Sequence, residues 1–339
     1  MIRDVIQKAI GRQDLTREEA LKTMDLIMSG EATSAQIGAF LIAMRMKGEK
    51  PREIAGFAES MRGKAAKVTT TRTPLIDIVG TGGDGTHTIN ISTISSFVVA
   101  GAGVTVAKHG NRSVSSKCGA ADVLTALGVN IDINAQQMSK CLDAVGMAFL
   151  FAPKVHGAMK YAIGPRREIG VRTVFNILGP ITNPAGTTRQ LIGVYDKALL
   201  RLLAEVLQQL HAEHIWLVHS ADGMDEISLA ATTYVAELKD GAIKEFEIDA
   251  AEFGLSASSD SITGGAATEN AEVARRILQG DETGVKRDVV LANAGAALYI
   301  AGKAATVKEG AQMAEESIGS GAALKTLNAL CQFTQDLKS

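Results

Sequence analysis

Residues 76–93 read IDIVGTGGDGTHTINIST, an apolar strand pattern that runs into a glycine cluster and then into a polar helix start. Glycines let backbone N–H groups approach an anionic ligand closely, and the N-terminus of the following helix adds a partial positive charge. A strand, a glycine-rich turn and a helix in this order are typical of an α/β fold that binds phosphate at the turn. The stretch therefore predicts a phosphate site.

The glycines Gly80, Gly82 and Gly85 match the dinucleotide fingerprint G-x-G-x-x-G. That fingerprint requires a carboxylate about 20 residues further on, at the end of the next strand, to bind a ribose hydroxyl. Here the next predicted strand, 104–107, is followed by Lys108, so a cation stands where the acid is needed. The Walker A pattern fails as well, because no Gly-Lys-Ser/Thr follows the glycines. These features argue against binding of nicotinamide or flavin dinucleotides.

The composition is typical of a soluble globular protein, with 46% hydrophobic and 21% charged residues among 339. This length suggests two domains, or one large domain with an appendage. A net charge of −2 and a pI near 6.3 predict no general attraction to nucleic acid or to an anionic membrane. Three scattered cysteines, Cys118, Cys141 and Cys331, indicate neither a disulfide framework nor a metal site. We therefore expect a cytoplasmic protein with reduced thiols.

The first seventy residues predict about four short helices. Residues 16–19 and 33–36 form capping boxes, Gly30 and Gly48 end the helices that precede them, and Pro51 suits a first helical turn. These helices carry more apolar surface than a four-helix unit easily buries, so they pack either on a partner subunit or on the rest of the chain. The apolar residues are Leu21, Met24, Ile27, Met28, Phe40, Leu41, Met44 and Met46.

From residue 74 the pattern changes to short apolar runs that alternate with helical segments. Candidate strands are 75–79, 104–107, 147–151, 191–195, 214–219, 232–238 and 243–248, and helical patterns include 134–145, 197–210 and 270–278. Such alternation predicts a mostly parallel sheet flanked by helices, and the turn at 239–241 an antiparallel hairpin at one edge. We expect an α/β protein with a small all-helical domain of residues 1–72, joined by part of 165–188, and an α/β domain of residues 73–339.

Ligands of such sheets bind beyond the carboxyl ends of the strands, so the residues that follow each strand matter most. In the glycine loop, Asp84 suits hydrogen bonds from sugar hydroxyls or an ordering role. Ser92 and Thr93, at the helix start, are either ligands or simple N-caps. The segment 108–119, KHGNRSVSSKCG, combines cations, an amide, an imidazole and three serines. It predicts a second anion site.

Two further segments carry candidate ligands. Asp225 and Glu226 follow the strand at 214–219, and adjacent carboxylates at the carboxyl edge suit Mg²⁺, which takes one or two carboxylates together with substrate phosphates. Residues 156–186 are rich in arginine, whose planar fork binds carboxylate or phosphate. This segment could cross back to the helical domain and close one side of a cleft. His214 and His219, which flank an apolar strand, are interpreted as structural.

With these residues described, the chain closely resembles the anthranilate phosphoribosyltransferase family over essentially its whole length. The resemblance rests on five blocks in order, which are GTGGDGTHTINIST, KHGNRSVSSKCGAADVLTALG, HGAMKYAIGPRREIGVRTVFNILGPITNP, DGMDE and RDVVLANAGAALYIAGKA. It implies a fold of the nucleoside phosphorylase and phosphoribosyltransferase type. It also implies transfer of a phosphoribosyl group from phosphoribosyl pyrophosphate (PRPP) to the amine of anthranilate in tryptophan biosynthesis, assisted by Mg²⁺, in a cytoplasmic homodimer formed through the helical domain.

The resemblance also implies the ligands. The PRPP set is Gly80, Gly83, Asp84, Thr88, Asn90, Ile91, Ser92, Thr93, Lys108, His109, Gly110, Asn111, Arg112, Ser113, Val114, Ser115 and Ser116. The anthranilate set is Arg166, for the carboxylate, with Gly80, His109, Asn111, His156, Tyr161 and Gly179. Ser92, Asp225 and Glu226 would bind Mg²⁺, with the two acids shared between two ions. No general base is assigned, because an aromatic amine is already neutral at pH 7.

One departure from the family and two alternatives remain. Relatives commonly carry serine near positions 118 and 120, where this chain has Cys118 and Ala120, so one phosphate contact is in doubt. Pyrimidine nucleoside phosphorylases share the architecture and attack the same sugar carbon, but they would not need the pair Asp225 and Glu226. A non-catalytic relative that binds nucleic acid would show a basic groove and would have lost the acidic pair.

Overall fold

The computed structural model describes residues 1–112 and 118–337. Four helices come first, and seven strands and the remaining helices follow. The helices are α1 Ile2–Ile10, α2 Arg17–Ser29, α3 Ser34–Lys47, α4 Pro51–Lys64, α5 Ile91–Gly101, α6 Ala120–Ala126, α7 Ala135–Val145, α8 Ala152–Val155, α9 Lys160–Ile169, α10 Phe175–Leu178, α11 Leu199–Gln209, α12 Ala267–Gln279, α13 Val285–Ile300, α14 Val307–Gly319 and α15 Ala322–Asp336. None of the helices in these two ranges is long and apolar enough to cross a membrane.

The predicted ends of the first helices are confirmed. Thr16 and Thr33 each accept a hydrogen bond from the third residue of their helix, and both capping boxes are complete. Gly30 ends α2 in the left-handed region at φ +78°, which glycine adopts without a Cβ penalty. Pro51 lies in the first turn of α4, where its missing N–H has no helical partner to lose.

The strands form one seven-stranded sheet of order β3-β2-β1-β4-β5-β6-β7. Their bounds are β1 Leu75–Gly80, β2 Thr105–Gly110, β3 Met147–Phe151, β4 Arg189–Gly193, β5 His214–Ser220, β6 Thr233–Lys239 and β7 Ala242–Ile248. The first five strands pair in parallel, with Ile76 opposite both Val106 and Arg189, whereas β6 is antiparallel to both of its neighbours. The mostly parallel sheet and its edge hairpin are therefore confirmed.

One predicted boundary is wrong in a way that matters for function. The sequence pattern ends the second strand at residue 107, but β2 continues through Lys108 and His109 to Gly110. These residues stay in the strand because β3 pairs with them, Lys108 with Phe149 and His109 with Leu150. Lys108 is only 2% exposed, so it is a buried residue near the carboxyl end of β2 and not part of a surface loop.

The alternation of side chains along the strands divides the core into two clusters. Along β5, Trp216 and Val218 face a cluster with α5 and α12–α15, whereas Ile215 and Leu217 face a cluster with α1–α4 and α11. Most of the apolar surface of the first four helices is therefore buried against the rest of the chain. Met46, which is 74% exposed, is an exception.

Two buried carboxylates away from the site are fully used by the fold. Glu53 accepts hydrogen bonds from the Leu15 N–H, the Lys50 N–H and the Lys47 ammonium. Glu237 on β6 accepts hydrogen bonds from His214, Trp216 and Tyr299. Burial alone would raise the pKa of Glu237, but these donors lower it to about 2. His219 bonds the carbonyl of Val194, so both histidines that flank β5 have structural partners, as predicted.

Candidate active site

The glycine loop lies at the carboxyl edge of the parallel strands and joins β1 to α5. Gly82 and Gly83 have φ of +64° and +79°, a region that only glycine enters without strain, and this explains why the sequence repeats glycine here. The loop is fixed at its start, because the Thr81 N–H donates to the Gly193 carbonyl on β4 at 2.9 Å. Its backbone is therefore arranged by the neighbouring strand and not by the loop alone.

The N-terminus of α5 faces this edge and carries the polar residues Asn90, Ser92 and Thr93. Asn90 is the N-cap, but its side chain makes no capping hydrogen bond. Ser92 and Thr93 lie inside the helix, so they are not the N-caps that the sequence allowed. The Thr93 hydroxyl is buried and has no hydrogen-bond partner among the described residues. An unpaired buried hydroxyl at a helix N-terminus suits an anionic ligand.

The predicted metal ligands come together at this edge. Asp225 Oδ2 accepts the Gly82 N–H at 2.8 Å, and Glu226 Oε1 accepts the Ser92 N–H at 3.2 Å. Burial raises the pKa of Asp225, and the charge of nearby Asp84 raises it further. Burial and the charge of Asp225 likewise raise the pKa of Glu226. The charged forms of Asp225 and Glu226 are disfavoured in this buried place, so a cation beside them is favoured.

A divalent cation would need more than these side chains. Among residues 1–112 and 118–337, no group of three or more His, Cys, Asp or Glu side chains has the arrangement of a complete metal site. Asp225, Glu226 and the Ser92 hydroxyl supply hard oxygen donors on one side, which suits Mg²⁺ that also binds substrate phosphates. The residues present therefore fit a cation brought in together with a phosphorylated substrate.

The buried side chain of Lys108 extends from β2 toward β1 and α5. Its ammonium donates to the Ile78 carbonyl at 2.6 Å and to the Ser92 hydroxyl at 3.3 Å. Burial lowers the pKa of Lys108, while the charges of Asp77 and Glu226 oppose that shift. The side chain thus joins β2 to β1 and to α5, and it holds positive charge beside the two acids.

Asp77 on β1 organises the wall next to Lys108. This fully buried carboxylate accepts the His109 N–H at 3.1 Å and the Asn183 amide at 2.8 Å. Burial raises the pKa of Asp77 to about 6 in spite of these hydrogen bonds. The Asn183 amide also donates to the Ala107 carbonyl. Asp77 therefore ties the end of β2 to the turn at residues 179–184.

His109 and His156 form a pair of neutral imidazoles against that turn. Their ring centroids are 5.0 Å apart, and His109 Nδ1 lies 3.1 Å from the Gly179 carbonyl. A carbonyl only accepts, so Nδ1 of His109 carries the proton. Burial lowers the pKa of His109 to about 3 and that of His156 to about 4. Nε2 of each ring is buried without a hydrogen-bond partner among the described residues, which leaves two acceptors for a ligand.

Arg166 lies on α9, which packs on α2 and α3 as the sequence suggested for this segment. Its guanidinium carbon is 4.9 Å from the centre of the Phe175 ring, and burial lowers its pKa. Within the described ranges its guanidinium makes no ion pair or side-chain hydrogen bond, which suits capture of a carboxylate. Tyr161, also predicted for this pocket, is 40% exposed and its ring lies over Gly30 of the helical domain.

The second predicted anion loop is described only at its two ends. Ser113, Val114, Ser115 and Ser116 lie outside the described residues. Arg112 forms an ion pair with Asp122 at 2.7 Å, and Asn111 accepts the Arg112 N–H through its side chain. At the other end, Cys118 Sγ lies 3.6 Å from Asn90 Oδ1. The two loops therefore meet where the serine-to-cysteine departure occurs.

The structure adds site residues that the sequence reasoning did not select. Arg172 donates to the Gly83 carbonyl and lies 4.0 Å from the centre of the Tyr195 ring, so it supports the glycine loop from the α9 side. Gly193 touches the Asp225 backbone so closely that a Cβ would lie 1.5 Å from its carbonyl oxygen. Gly193 was detectable as the end of a parallel strand, but the predicted strand ran two residues too far. Nothing in the sequence marked the contact of Arg172.

Known protein families match both the helical part and the α/β part of this chain. The family model described as "Glycosyl transferase family, helical bundle domain" matches residues 3–65, and the corresponding a/b domain model matches residues 72–324. An anthranilate phosphoribosyltransferase of Moorella thermoacetica is 52% identical over 336 residues, which cover 99% of each chain.

Two solved structures extend the likeness. The crystal structure of anthranilate phosphoribosyltransferase from Thermus thermophilus has a TM-score of 0.93 and 41% identity, covering 98% of this chain and 99% of that one. The enzyme from Saccharomyces cerevisiae in complex with PRPP and Mg has a TM-score of 0.91 and 26% identity, covering 99% of this chain and 98% of that one. Since the match extends over both domains, this chain belongs to the anthranilate phosphoribosyltransferase family of glycosyl transferases.

Proposed function

We infer that this chain transfers the phosphoribosyl group of PRPP to the amine of anthranilate, releasing pyrophosphate and forming N-(5-phosphoribosyl)anthranilate in tryptophan biosynthesis. The observation that carries the inference is the convergence at one sheet edge of a helix N-terminus, a buried lysine and two buried carboxylates. PRPP has a 5-phosphate and a pyrophosphate, so it needs separate anion contacts and a cation. The family membership of the whole chain supports the same reaction.

PRPP is assigned to the glycine loop, the start of α5 and the segment 108–116. The Thr93 hydroxyl, which has no hydrogen-bond partner among residues 1–112 and 118–337, and the backbone of Gly83 would supply contacts for phosphate oxygens. Asp84 would accept hydrogen bonds from sugar hydroxyls. Magnesium, present with PRPP in the yeast enzyme, would be held here by Ser92, Asp225 and Glu226, with two ions sharing the acids.

Anthranilate is assigned to the wall between β2, the turn at 179–184 and α9. The guanidinium of Arg166, stacked on Phe175, would bind its carboxylate by a planar fork. The Nε2 atoms of His109 and His156, which have no partner in the described part of the chain, would accept N–H groups, and an aromatic amine has two to donate. Because both rings are neutral, they place the amine without competing for its lone pair.

Catalysis follows from charge neutralisation and alignment. Cleavage at C1 leaves positive charge on the ribose and negative charge on pyrophosphate, and Lys108 stabilises the departing anion. Magnesium, when bound, supplies Lewis-acid neutralisation of the same anion. The amine nitrogen loses a proton only after bond formation, so no strong base is needed, and the neutral histidines can accept that proton late.

The first test is direct. Protein, anthranilate, PRPP and Mg²⁺ are mixed, and the loss of anthranilate fluorescence is followed. We expect rapid loss that requires all components. No loss, together with phosphorolysis of thymidine or uridine, would assign the chain to the nucleoside phosphorylases instead.

Replacing both Asp225 and Glu226 by their amides should greatly reduce Mg²⁺-dependent turnover, whereas full activity would place the metal elsewhere.

Arg166→Ala tests the anthranilate site. A lost charge-assisted fork should raise the KM for anthranilate by about tenfold or more, with little change in the KM for PRPP. Arg167→Ala is the matched control, since Arg167 is the next residue of α9 and is exposed. An unchanged KM for anthranilate in Arg166→Ala would remove Arg166 from this role.

We also propose that the protein is a cytoplasmic homodimer formed through the helical domain, and that residues 1–72 with part of 165–188 form one domain and residues 73–339 the other. Ile10 on α1, Met46 on α3 and Ile163 on α9 are exposed apolar residues on helices that pack in sequence, α1 on α3 and α3 on α9. Exposed apolar side chains on the helical domain are candidates for an interaction surface. Light scattering should find a dimer that Met46→Glu weakens, and a monomeric wild type would refute it.

A further inference from the structure

The exit of the glycine loop is held by a distant segment, residues 262–265. Thr88 and Thr263 form an antiparallel bridge, the Ile89 N–H donates to the Ile262 carbonyl at 3.0 Å, and the Gly264 N–H donates to the His87 carbonyl at 2.8 Å. The approach depends on glycine, because a Cβ on Gly264 would lie 2.6 Å from the Thr88 carbonyl oxygen. We name residues 262–265 together with Asn270 the loop clamp.

Asn270 is the polar centre of the loop clamp. It lies in the first turn of α12 and is 3% exposed. Its Oδ1 accepts the Gly265 N–H at 2.7 Å, and its Nδ2 donates to Asn90 Oδ1 at 2.9 Å. A backbone N–H only donates, so the orientation of the Asn270 amide is determined by Gly265.

Asn90 continues the same chain of hydrogen bonds. Its Nδ2 donates to the Cys118 carbonyl at 3.2 Å, at the far end of the second anion loop. That carbonyl only accepts, so the orientation of the Asn90 amide is determined from both sides. The series Gly265, Asn270, Asn90, Cys118 therefore connects the loop clamp to both loops assigned to PRPP.

From this geometry we propose that Asn270 is a positioning residue for PRPP, acting through Asn90. Asn270 orients the Asn90 amide, which in turn holds the exit of the glycine loop against the end of the 111–119 loop. Both loops must contact one substrate, so their separation determines how well PRPP is bound. The inference rests on the proposed function, because it requires PRPP to occupy these loops.

The variant Asn270→Asp separates positioning from folding. An aspartate retains the acceptor for the Gly265 N–H but cannot donate to Asn90 Oδ1. We expect the KM for PRPP to rise by about tenfold or more, the cost of a broken buried hydrogen bond, while the KM for anthranilate changes by less than about twofold. Gln279→Glu makes the same amide-to-carboxylate change on the exposed end of α12 and should leave both constants unchanged.

A double-mutant cycle with Asn90→Ala tests the route. In the Asn90→Ala background, Asn270→Asp should change the KM for PRPP by less than about twofold, because the residue on which it acts is gone. An equal rise in both backgrounds would show that the effect does not pass through Asn90, because the Asn270 side chain also hydrogen-bonds Cys118, and it would overturn the proposal. Should Asn270→Asp fold poorly by circular dichroism, Asn270→Ser, whose hydroxyl is too short to reach Asn90, takes its place in the cycle.

The kinetics of the wild type and of Asn270→Asp together separate the positioning role of Asn270 from the proposed function of the chain. If the wild type consumes anthranilate with PRPP but Asn270→Asp has an unchanged KM for PRPP, the positioning role is wrong and the proposed function stands. If the wild type shows no turnover with PRPP, the proposed function fails and the positioning role fails with it.

Discussion

Gly193→Ala tests whether the shape of β4 positions the acidic pair. A Cβ at this position would lie 1.5 Å from the Asp225 carbonyl oxygen, and contacts of Cβ atoms under 3.0 Å essentially never occur. The Asp225 backbone must therefore move by at least about 1.5 Å, and a misplacement of about 1 Å costs roughly 10²-fold in rate. We expect kcat/KM for PRPP to fall by about 10²-fold or more.

Gly80→Ala provides a graded comparison in the fluorescence assay. Its Cβ would lie 2.6 Å from the side-chain Oδ2 of Asp225, against 1.5 Å from the backbone oxygen for Gly193, so a smaller displacement and a smaller loss are expected. Gly63→Ala on α4 is the control, because no atom of the described residues beyond its own helical turn lies within 4 Å of its Cβ, and helix propensity predicts a gain of about 0.5–1 kcal/mol in stability. A Gly193→Ala protein with native circular dichroism and full activity would refute the reasoning.

Three further predictions concern buried charge. Glu53→Ala should lower the free energy of unfolding by about 3–5 kcal/mol in urea, whereas Glu18→Ala, at an exposed ion pair with Lys22, should leave it nearly unchanged; equal losses would contradict this. The pKa of Glu237 is lowered to about 2, so its stabilisation is present above its unfolded pKa and is lost as pH falls toward 2. The advantage of wild type over Glu237→Gln in urea melts should therefore shrink below about pH 4, and a constant difference would exclude this. His109 and His156, with lowered pKa values of about 3 and 4, should be neutral by ¹⁵N NMR at pH 5.5, and their contribution to stability declines as pH falls below about 6.5; a protonated ring at pH 5.5 would contradict the burial argument.

Local signals in the sequence predicted most of the elements because their physics is local. The capping boxes at Thr16 and Thr33 involve residues three apart, and glycine at residue 30 ends α2 through its own backbone freedom. Short apolar runs, which are typical of strands buried on both faces, predicted all seven strands within two residues at each end, except for the carboxyl end of β2. There the polar residues Lys108 and His109 conceal a strand that only pairing with β3 extends.

The sequence predicted which kinds of side chain form the candidate site, but not which of those residues contact one another. The sequence by itself determined that glycine, cation and carboxylate groups follow parallel strands, and parallel strands place such groups at one edge. Only the tertiary structure decided that Gly193 packs on Asp225, that Arg172 supports Gly83, and that Asn270 orients Asn90 across 180 residues. Hydrogen bonds and close contacts between distant segments depend on how helices and strands pack, and no local pattern of residues encodes that packing.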